Sequence, residues 1–282
     1  MSSSKRVRVK RKSRRARRRR NYSLLALAIV IFLACLFALL RMRGMLPANE
    51  AAEDWYELKK EDKVLVDLPA DDAVHDNYTE WWYYNGHLQA KDGHKYSFHY
   101  AVFLLNAFAS HTVIHASFLD EESGQRYSYQ TRTGGNPSKD AKQGFDFRIG
   151  EWLMKGFDGV DRIQGKTNDF SFNLDLTSQT APVFQGGTGL LDFGAAGTSY
   201  YYSRPRMAIK GYAGLSDHEQ AVSGSAWFDH QWGDFRATQL GWEWFALQLD
   251  DGADIMLYQL YSSDGQPLLV SGTYSKNNVT LL

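Results

Sequence analysis

Hydrophobic and polar residues alternate along most of the chain beyond residue 70, in short runs separated by turns. The clearest run is FSFNLDL at 170–176, in which every second residue is Phe or Leu. The same period of two occurs in YSF at 96–98, YSYQT at 127–131 and FDFRI at 145–149. This period is that of a half-buried β-strand, so the pattern predicts an all-β protein.

Asp-Gly turns punctuate the strand-like runs at 92–93, 158–159, 251–252 and 264–265. The third of these joins two apolar runs in WEWFALQLDDGADIMLYQL, the strongest hairpin signal in the chain. No helical period of useful length follows residue 70. Many short strands rich in aromatic residues predict a sandwich or a barrel, and a barrel of about eight strands can enclose one small apolar ligand.

An apolar segment without charge or proline, SLLALAIVIFLACLFALL, occupies residues 23–40. As an α-helix it would be about 27 Å long, close to the hydrocarbon thickness of a bilayer. Twelve Lys and Arg residues precede this segment, and Arg41 and Arg43 follow it. This asymmetry predicts an uncleaved, single-pass signal anchor in the cytoplasmic membrane, with a cytoplasmic N-terminus and a periplasmic or extracellular globular domain.

The formal net charge of zero hides two opposite regions. The first 44 residues carry fourteen basic and no acidic side chains, which leaves eighteen basic residues against all 32 acidic ones. Because the basic run directly precedes an apolar span, we interpret it as a topology signal and expect no nucleic acid partner. Cys35, the single cysteine, lies inside the span, so the exported part has no intramolecular disulfide.

These features divide the chain into four parts. They are a basic tail at 1–22, the anchor at 23–40, a linker at 41–70 and a β domain at 71–282. The last residues follow directly on a strand-like run, so we expect the β domain to be truncated at its C-terminal end.

Glu80 stands among aromatic residues in HDNYTEWWYYNGHL, at 75–88. Strand alternation places Trp81 on one face and Trp82 on the other. Packing alone would account for the tryptophans. A carboxylate among indoles, however, is costly unless it is paired or hydrogen-bonded.

Two acids, a histidine and two tryptophans fall within AWFDHQWGDF, at 226–235. Asp229 and His230 are adjacent, so a strand would point them to opposite faces, with Phe228 and Trp232 on the face of His230. That histidine is either a satisfied core residue or an acid whose proton a carboxylate retains. We expect His230 to pair with Glu80 and keep its proton to higher pH, while Asp229 bonds backbone or anchors a loop.

Other chemical patterns are weak. GGTGLLDFG lacks the Gly-Lys-Ser/Thr ending of a phosphate loop, and VSGSAW is not a GxSxG elbow. His111 and His115 are four residues apart, a spacing that does not bring two ligands together on a strand. The sequence therefore predicts neither a metal nor a cofactor.

Five motifs in order resemble the AttH/carotenoid hydratase (hydroxyneurosporene synthase) lipocalin-like family, whose members are often labelled predicted secreted hydrolases. They are HDNYTEWWYYNGHL, HASFLD, GGTGLLDFGAAGTSYYYSRPR, VSGSAWFDHQWGDF and GWEWFALQLDDGADIMLYQL. The resemblance runs from about residue 71 to 274. It implies two lipocalin-like β-barrels in tandem, of which this chain would hold the first and lack the second.

The resemblance also implies site residues. Carried over position by position, it suggests catalytic roles for His230, Asp229 and Glu80, and ligand-binding roles for Trp81, Trp82, Trp232 and Tyr258. Phe228 is added as a ligand-binding candidate because strand alternation places it on the face of His230 and Trp232. The family's usual DHEWG reads DHQWG here, so Gln231 departs from the pattern.

The function implied is a cofactor-independent hydratase acting on an isoprenoid or other hydrophobic ligand, which protonates an alkene and captures the cation with water. An aromatic lining would stabilise that cation. Two alternatives stay open: a membrane-tethered lipid-binding protein without chemistry, and a secreted hydrolase.

Overall fold

The computed structural model describes residues 63–216, 218–237, 240–262 and 264–282. This part contains sixteen β-strands and two short 3-10 turns, at Ala70–Asp72 and Gly194–Ala196. The strands are β1 (Thr79–Ala90), β2 (Lys95–Asn106), β3 (Ser110–Asp120), β4 (Arg126–Gly134), β5 (Phe145–Ile149), β6 (Trp152–Phe157), β7 (Val160–Lys166), β8 (Phe170–Ser178), β9 (Val183–Phe184), β10 (Leu190–Asp192), β11 (Thr198–Leu215), β12 (Gln220–Gly233), β13 (Gly241–Gln248), β14 (Asp254–Tyr261), β15 (Pro267–Lys276) and β16 (Val279–Leu281).

The predicted tail at 1–22 and anchor at 23–40 lie outside the described residues, as does most of the linker. Within the described ranges, no helix has the length and apolar character needed to cross a lipid bilayer.

One antiparallel sheet contains the first twelve strands, in the order β4-β3-β2-β1-β12-β11-β8-β7-β6-β5, with β9 and β10 paired to β11. It curls into a nearly closed barrel. This architecture confirms the predicted all-β, lipocalin-like fold. Each alternating run singled out in the sequence lies in a strand, and 145–149 coincides with β5.

The predicted Asp-Gly turns form the hairpins expected of them. Asp158 and Gly159 have φ of 52° and 69° between β6 and β7, the left-handed pair that a two-residue hairpin turn requires. Gly252, with φ of 85°, lies in the turn between β13 and β14. These two strands pair antiparallel from Gly241 with Tyr261 onward, which confirms the predicted hairpin.

Side chains pack the interior of the barrel. Aromatic residues dominate it, and a buried ion pair joins Arg204 Nη2 to Asp72 Oδ1 at 3.0 Å near one end. The backbone N–H of Asp158 donates to Asp72 Oδ2 at 2.6 Å, and the Tyr202 hydroxyl donates to Oδ1. Aromatic packing and this network therefore occupy much of the barrel interior.

The last strands form a separate sheet, ordered β13-β14-β15-β16. The motifs predict a single barrel over 71–282, and the structure differs. Strand β12 already pairs with β1 on one side and β11 on the other, so the chain that follows it cannot add a strand there. It turns away after Gly233 and packs a second sheet against the outside of the barrel wall.

Arg206 links the two sheets. It lies where the β11–β12 register shifts between Arg204 and Met207. Its Nε contacts Asp254 Oδ1 at 2.9 Å, and its Nη2 donates to the Leu249 carbonyl at 2.7 Å. Barrel wall and second sheet thus share a second hydrophobic core, distinct from the barrel interior.

The opposite face of the second sheet carries exposed apolar side chains. They include Phe245, Leu247, Leu257 and Val270, which are 56%, 44%, 48% and 70% exposed.

Candidate functional site

Strands β1 and β12 lie side by side in the barrel wall and direct the predicted site residues to two faces. In the register, Trp82 pairs with His230 and Glu80 with Trp232, and all four belong to the interior. Trp81 and Asp229 occupy the alternate positions and face outward. Strand alternation predicted correctly that Asp229 and His230 point to opposite faces.

On the inner face, Glu80 receives hydrogen bonds from two imidazoles. His230 Nε2 lies 2.8 Å and His75 Nδ1 2.7 Å from Glu80 Oε1, while the His75 backbone N–H donates to Oε2 at 2.9 Å. The predicted proximity of His230 and Glu80 is confirmed across 150 residues of sequence. Trp82 stacks on His230 and Trp232 stacks on His75, with ring centroids 4.4 and 4.1 Å apart.

The expected retention of a proton by His230 is wrong. Its side chain is wholly buried, and desolvation lowers its pKa more than the hydrogen bond and charge of Glu80 raise it. Phe228 lies in the same interior, packed against Tyr84 with centroids 4.7 Å apart. The sequence could show the pairing of His230 with Glu80 but not how completely the barrel excludes water from the pair.

His75, Glu80 and His230 also form a candidate metal group, since one ligand atom from each lies within 4.8 Å of the others. Two ligands bound tetrahedrally at about 2.0–2.1 Å from zinc would lie about 3.3 Å apart. The nitrogen–oxygen separations of 2.7 and 2.8 Å are instead hydrogen-bond lengths. The geometry therefore fits a His–Glu–His hydrogen-bonded cluster better than an ion site.

A cavity lies on the outer face, between the barrel wall and the second sheet. We call it the aromatic cleft, and its volume is about 340 Å³. Its lining comprises Trp81, Tyr83, His99, Phe103, Leu191, Phe193, Tyr201, Asp229, Gln231, Phe235, Leu240, Trp242, Trp244, Tyr258 and Leu260. Such a cleft, apolar with a few convergent polar groups, has the character of a small-molecule site.

Among the described residues that line this cleft, Asp229 carries the one carboxyl group. Its Oδ1 accepts from Ser203 Oγ at 2.5 Å and from Trp227 Nε1 at 2.7 Å. Burial raises its pKa from 3.8 to about 7, although Ser203, Trp227 and Tyr201 oppose this rise by hydrogen bonding. Asp229 is therefore a protonated carboxylic acid over much of the pH range below 7, which is the state that general acid catalysis needs.

A donor chain crosses the cleft to this acid. Trp244, on the second sheet, donates from Nε1 to the Tyr201 hydroxyl at 3.1 Å. Burial, and then the charge and hydrogen bond of Asp229, raise the pKa of Tyr201, as expected for a hydroxyl that donates to the carboxyl group. The second sheet thus helps to position the acid on the barrel wall.

The structure divides the predicted site residues between two places. Asp229, Trp81 and Tyr258 line the cleft, whereas His230, Glu80, Trp82, Trp232 and Phe228 lie inside the barrel. The expectation that Asp229 bonds backbone or anchors a loop is wrong, because its carboxyl bonds side chains of β11 and β12 and faces the cleft.

Sequence reasoning missed Tyr201, His99 and Trp244 as cleft residues. Alternation did offer a signal for Tyr201, which takes the outward face of β11 as Asp229 takes that of β12. No pattern in the chain indicated, however, that β13 and β14 would cover that face. Gln231, the departure from the family motif, also lines the cleft and donates from Nε2 to Ser199 Oγ at 2.8 Å.

A family profile described as AttH-like matches residues 59–281. The chain belongs to this family. Among curated proteins it is 26% identical over 199 residues to the dehydratase asqC of Emericella nidulans, a match that covers 66% of this chain and 53% of that one. The chain thus spans about half the length of this relative.

Two solved structures share the fold. One is a protein assigned as AttH from Nitrosomonas europaea, with a TM-score of 0.69, 24% identity and coverage of 80% of this chain and 74% of that one. The other is kievitone hydratase from Nectria haematococca, with a TM-score of 0.67, 18% identity and coverage of 81% and 72%. The AttH-like membership confirms the resemblance seen in the motifs.

Proposed function

We propose that this protein adds water to, or removes it from, a hydrophobic substrate held in the aromatic cleft, with Asp229 as the acid. One observation carries the proposal: a buried carboxyl group with a pKa of about 7 lies in a cavity walled by indole and phenol rings. Relatives named dehydratase and hydratase support this reaction class, since the two reactions are the reverse of each other.

In the hydration direction, the Asp229 O–H gives its proton to one alkene carbon, and the π electrons form the new C–H bond. The positive charge left on the more substituted carbon faces the indoles of Trp81, Trp242 and Trp244, each worth about 0.5–2 kcal/mol to a cation. A water oxygen then forms the C–O bond and returns a proton to the Asp229 carboxylate. Dehydration runs these steps backward and begins with protonation of the departing hydroxyl.

The inner cluster of His75, Glu80 and His230 supports the wall that carries Asp229. His230 and Glu80 hold β12 to β1 from inside the barrel, and the same register places Asp229 opposite Tyr83 on the outer face. We therefore assign His230, Glu80, Trp82, Trp232 and Phe228 to the wall behind the cleft. Trp81 and Tyr258 are proposed as ligand contacts.

The test is incubation of the purified protein with isoprenoid alkenes and alcohols in H₂¹⁸O. We expect products that differ from substrate by one water and carry ¹⁸O, and Asp229→Asn abolishes their formation. Asp161→Asn is the matched control, because Asp161 is an equally buried acid with a pKa of about 7 that lies inside the barrel. A ligand that is bound but unchanged, without ¹⁸O exchange, would instead favour the lipid-binding alternative. Cleavage of an ester substrate would favour hydrolysis.

We also propose that residues 23–40 anchor the protein in the membrane, with the globular domain periplasmic or extracellular. The supporting observation is the basic excess before the span. A reporter fused after residue 70 is expected to be active only if it functions outside the cytoplasm. Activity of a reporter that works only in the cytoplasm would overturn the topology.

A further inference from the structure

The aromatic cleft contains two buried polar atoms that the acid chemistry does not use. They are His99 Nε2 and the Tyr258 hydroxyl, and neither has a hydrogen-bond partner among the described residues. Both residues line the cleft, one on the barrel wall and the other on the second sheet. Since buried polar groups are nearly always paired, each such atom calls for an explanation.

His99 extends from β2 beside Tyr83, with ring centroids 5.0 Å apart. Burial, together with the nearby His115 and Arg126, lowers its pKa to about 4. The imidazole is therefore neutral near pH 7 and offers one donor and one acceptor nitrogen. Such a neutral imidazole forms good hydrogen bonds with a neutral oxygen atom, but it has no charge with which to stabilise an anion.

Tyr258 lies on β14, directly opposite Ser271 of β15 and Trp244 of β13. Burial raises its pKa to about 12, so the phenol stays protonated. The Ser271 hydroxyl opposes this rise, although the two hydroxyls do not reach hydrogen-bonding geometry. The phenol thus remains a donor toward whatever occupies the cleft.

The apolar part of the cleft contains two indole rings that are nearly parallel. Trp81 and Trp242 face each other at an interplanar angle of 14°, with ring centroids 6.4 Å apart. A flat conjugated group between two rings needs about 7 Å, twice the contact distance between stacked carbon atoms. A small movement of Trp242, which is 52% exposed, would admit such a group.

We propose that the substrate is an oxygenated, partly planar molecule whose hydroxyl or carbonyl group pairs with His99 Nε2, and with the Tyr258 hydroxyl, at a distance from the bond that reacts at Asp229. A pure hydrocarbon would leave both atoms desolvated and unpaired, which disfavours its binding. His99 is then a specificity-determining residue. This inference rests on the function proposed above for the same cleft.

The test compares two flat probes of the same shape, 2-naphthol and 2-methylnaphthalene, by equilibrium dialysis. The measured quantity is the ratio of their dissociation constants, because comparing this ratio between variants cancels the different hydrophobicity of the probes. We expect His99→Phe to reduce the preference for 2-naphthol about tenfold. His99→Gln, which keeps a donor and an acceptor, retains most of that preference.

Unchanged binding of 2-methylnaphthalene by His99→Phe serves as the check that the cleft is intact. A ratio that is the same in wild type and His99→Phe overturns the inference, as does a wild-type protein that binds neither probe. Asp229→Asn is expected to leave the ratio unchanged while it abolishes ¹⁸O incorporation. Failure of the oxygen-recognition inference is thereby distinguished from failure of the hydratase proposal.

Discussion

Asp229→Asn provides the sharpest physical test of the buried acid, because it replaces a titratable group with a neutral one of nearly the same shape. The asparagine Oδ1 can still accept from Ser203 and Trp227. The hydrogen bond from Tyr201 is disturbed, but this effect does not depend on pH below the pKa of the tyrosine. The change of stability with pH therefore isolates the ionisation of Asp229.

The sign follows from the direction of the pKa shift. The folded pKa, about 7, lies above the ordinary value of 3.8. Below pH 3.8 both states bind the proton, so Asp229 contributes no pH-dependent term. Between pH 4 and 7 the unfolded state ionises first, and the wild type loses stability relative to the variant, reaching about 4 kcal/mol above pH 7. Between pH 5 and 8 this amounts to about 2 to 3 kcal/mol.

The assay is urea unfolding of wild type and variant at pH 5, 6, 7 and 8. We expect the free energy of unfolding of Asp229→Asn to rise relative to wild type by that amount across the series. Asp161→Asn is the matched control, since burial also raises the pKa of Asp161 to about 7. It should show a similar pH dependence without loss of turnover. If the difference between Asp229→Asn and wild type is the same at pH 5 and pH 8, the acid is already ionised in the folded protein and the reasoning fails.

Three further predictions concern the same wall of the barrel. Turnover should fall as pH rises through about 7, the pKa of Asp229. Tyr201→Phe should move this fall to higher pH by about one unit, because the substitution removes a donor that stabilises the Asp229 carboxylate. An unmoved pH profile would argue against the donor chain from Trp244 through Tyr201. Glu80→Gln should lower the free energy of unfolding by about 1–3 kcal/mol, because its amide NH₂ group would face either the His75 backbone N–H or the two imidazole donors. The probe dissociation constants should stay unchanged. Weaker probe binding in a stable variant would place the cluster of His75, Glu80 and His230 in the ligand site. Gly86→Ala should lower the thermal unfolding midpoint, because the added methyl group would lie 2.6 Å from the Ser225 carbonyl oxygen. A Gly86→Ala variant as stable as the wild type would contradict this close packing of β1 against β12.

The sequence by itself determined the strands, their turns and the face that each side chain takes. A period of two depends only on local backbone geometry. The strand at 170–176 and the placement of Asp229 and His230 on opposite faces could therefore be predicted directly from the sequence. The pairing of His230 with Glu80 could also be inferred, because a buried titratable group needs a partner and TEWW supplied a carboxylate. The AttH-like motifs added the barrel.

Tertiary structure alone decided which face carries the candidate chemistry. The outward face of β1 and β12 would read as ordinary surface until β13 and β14 cover it, and that packing depends on contacts between residues distant in sequence. Burial then acts in opposite directions on two neighbours. It raises the pKa of Asp229 to about 7 and lowers that of His230, because desolvation disfavours the charged form of either group. Alternation separates these two residues, but only the three-dimensional packing makes one of them the acid.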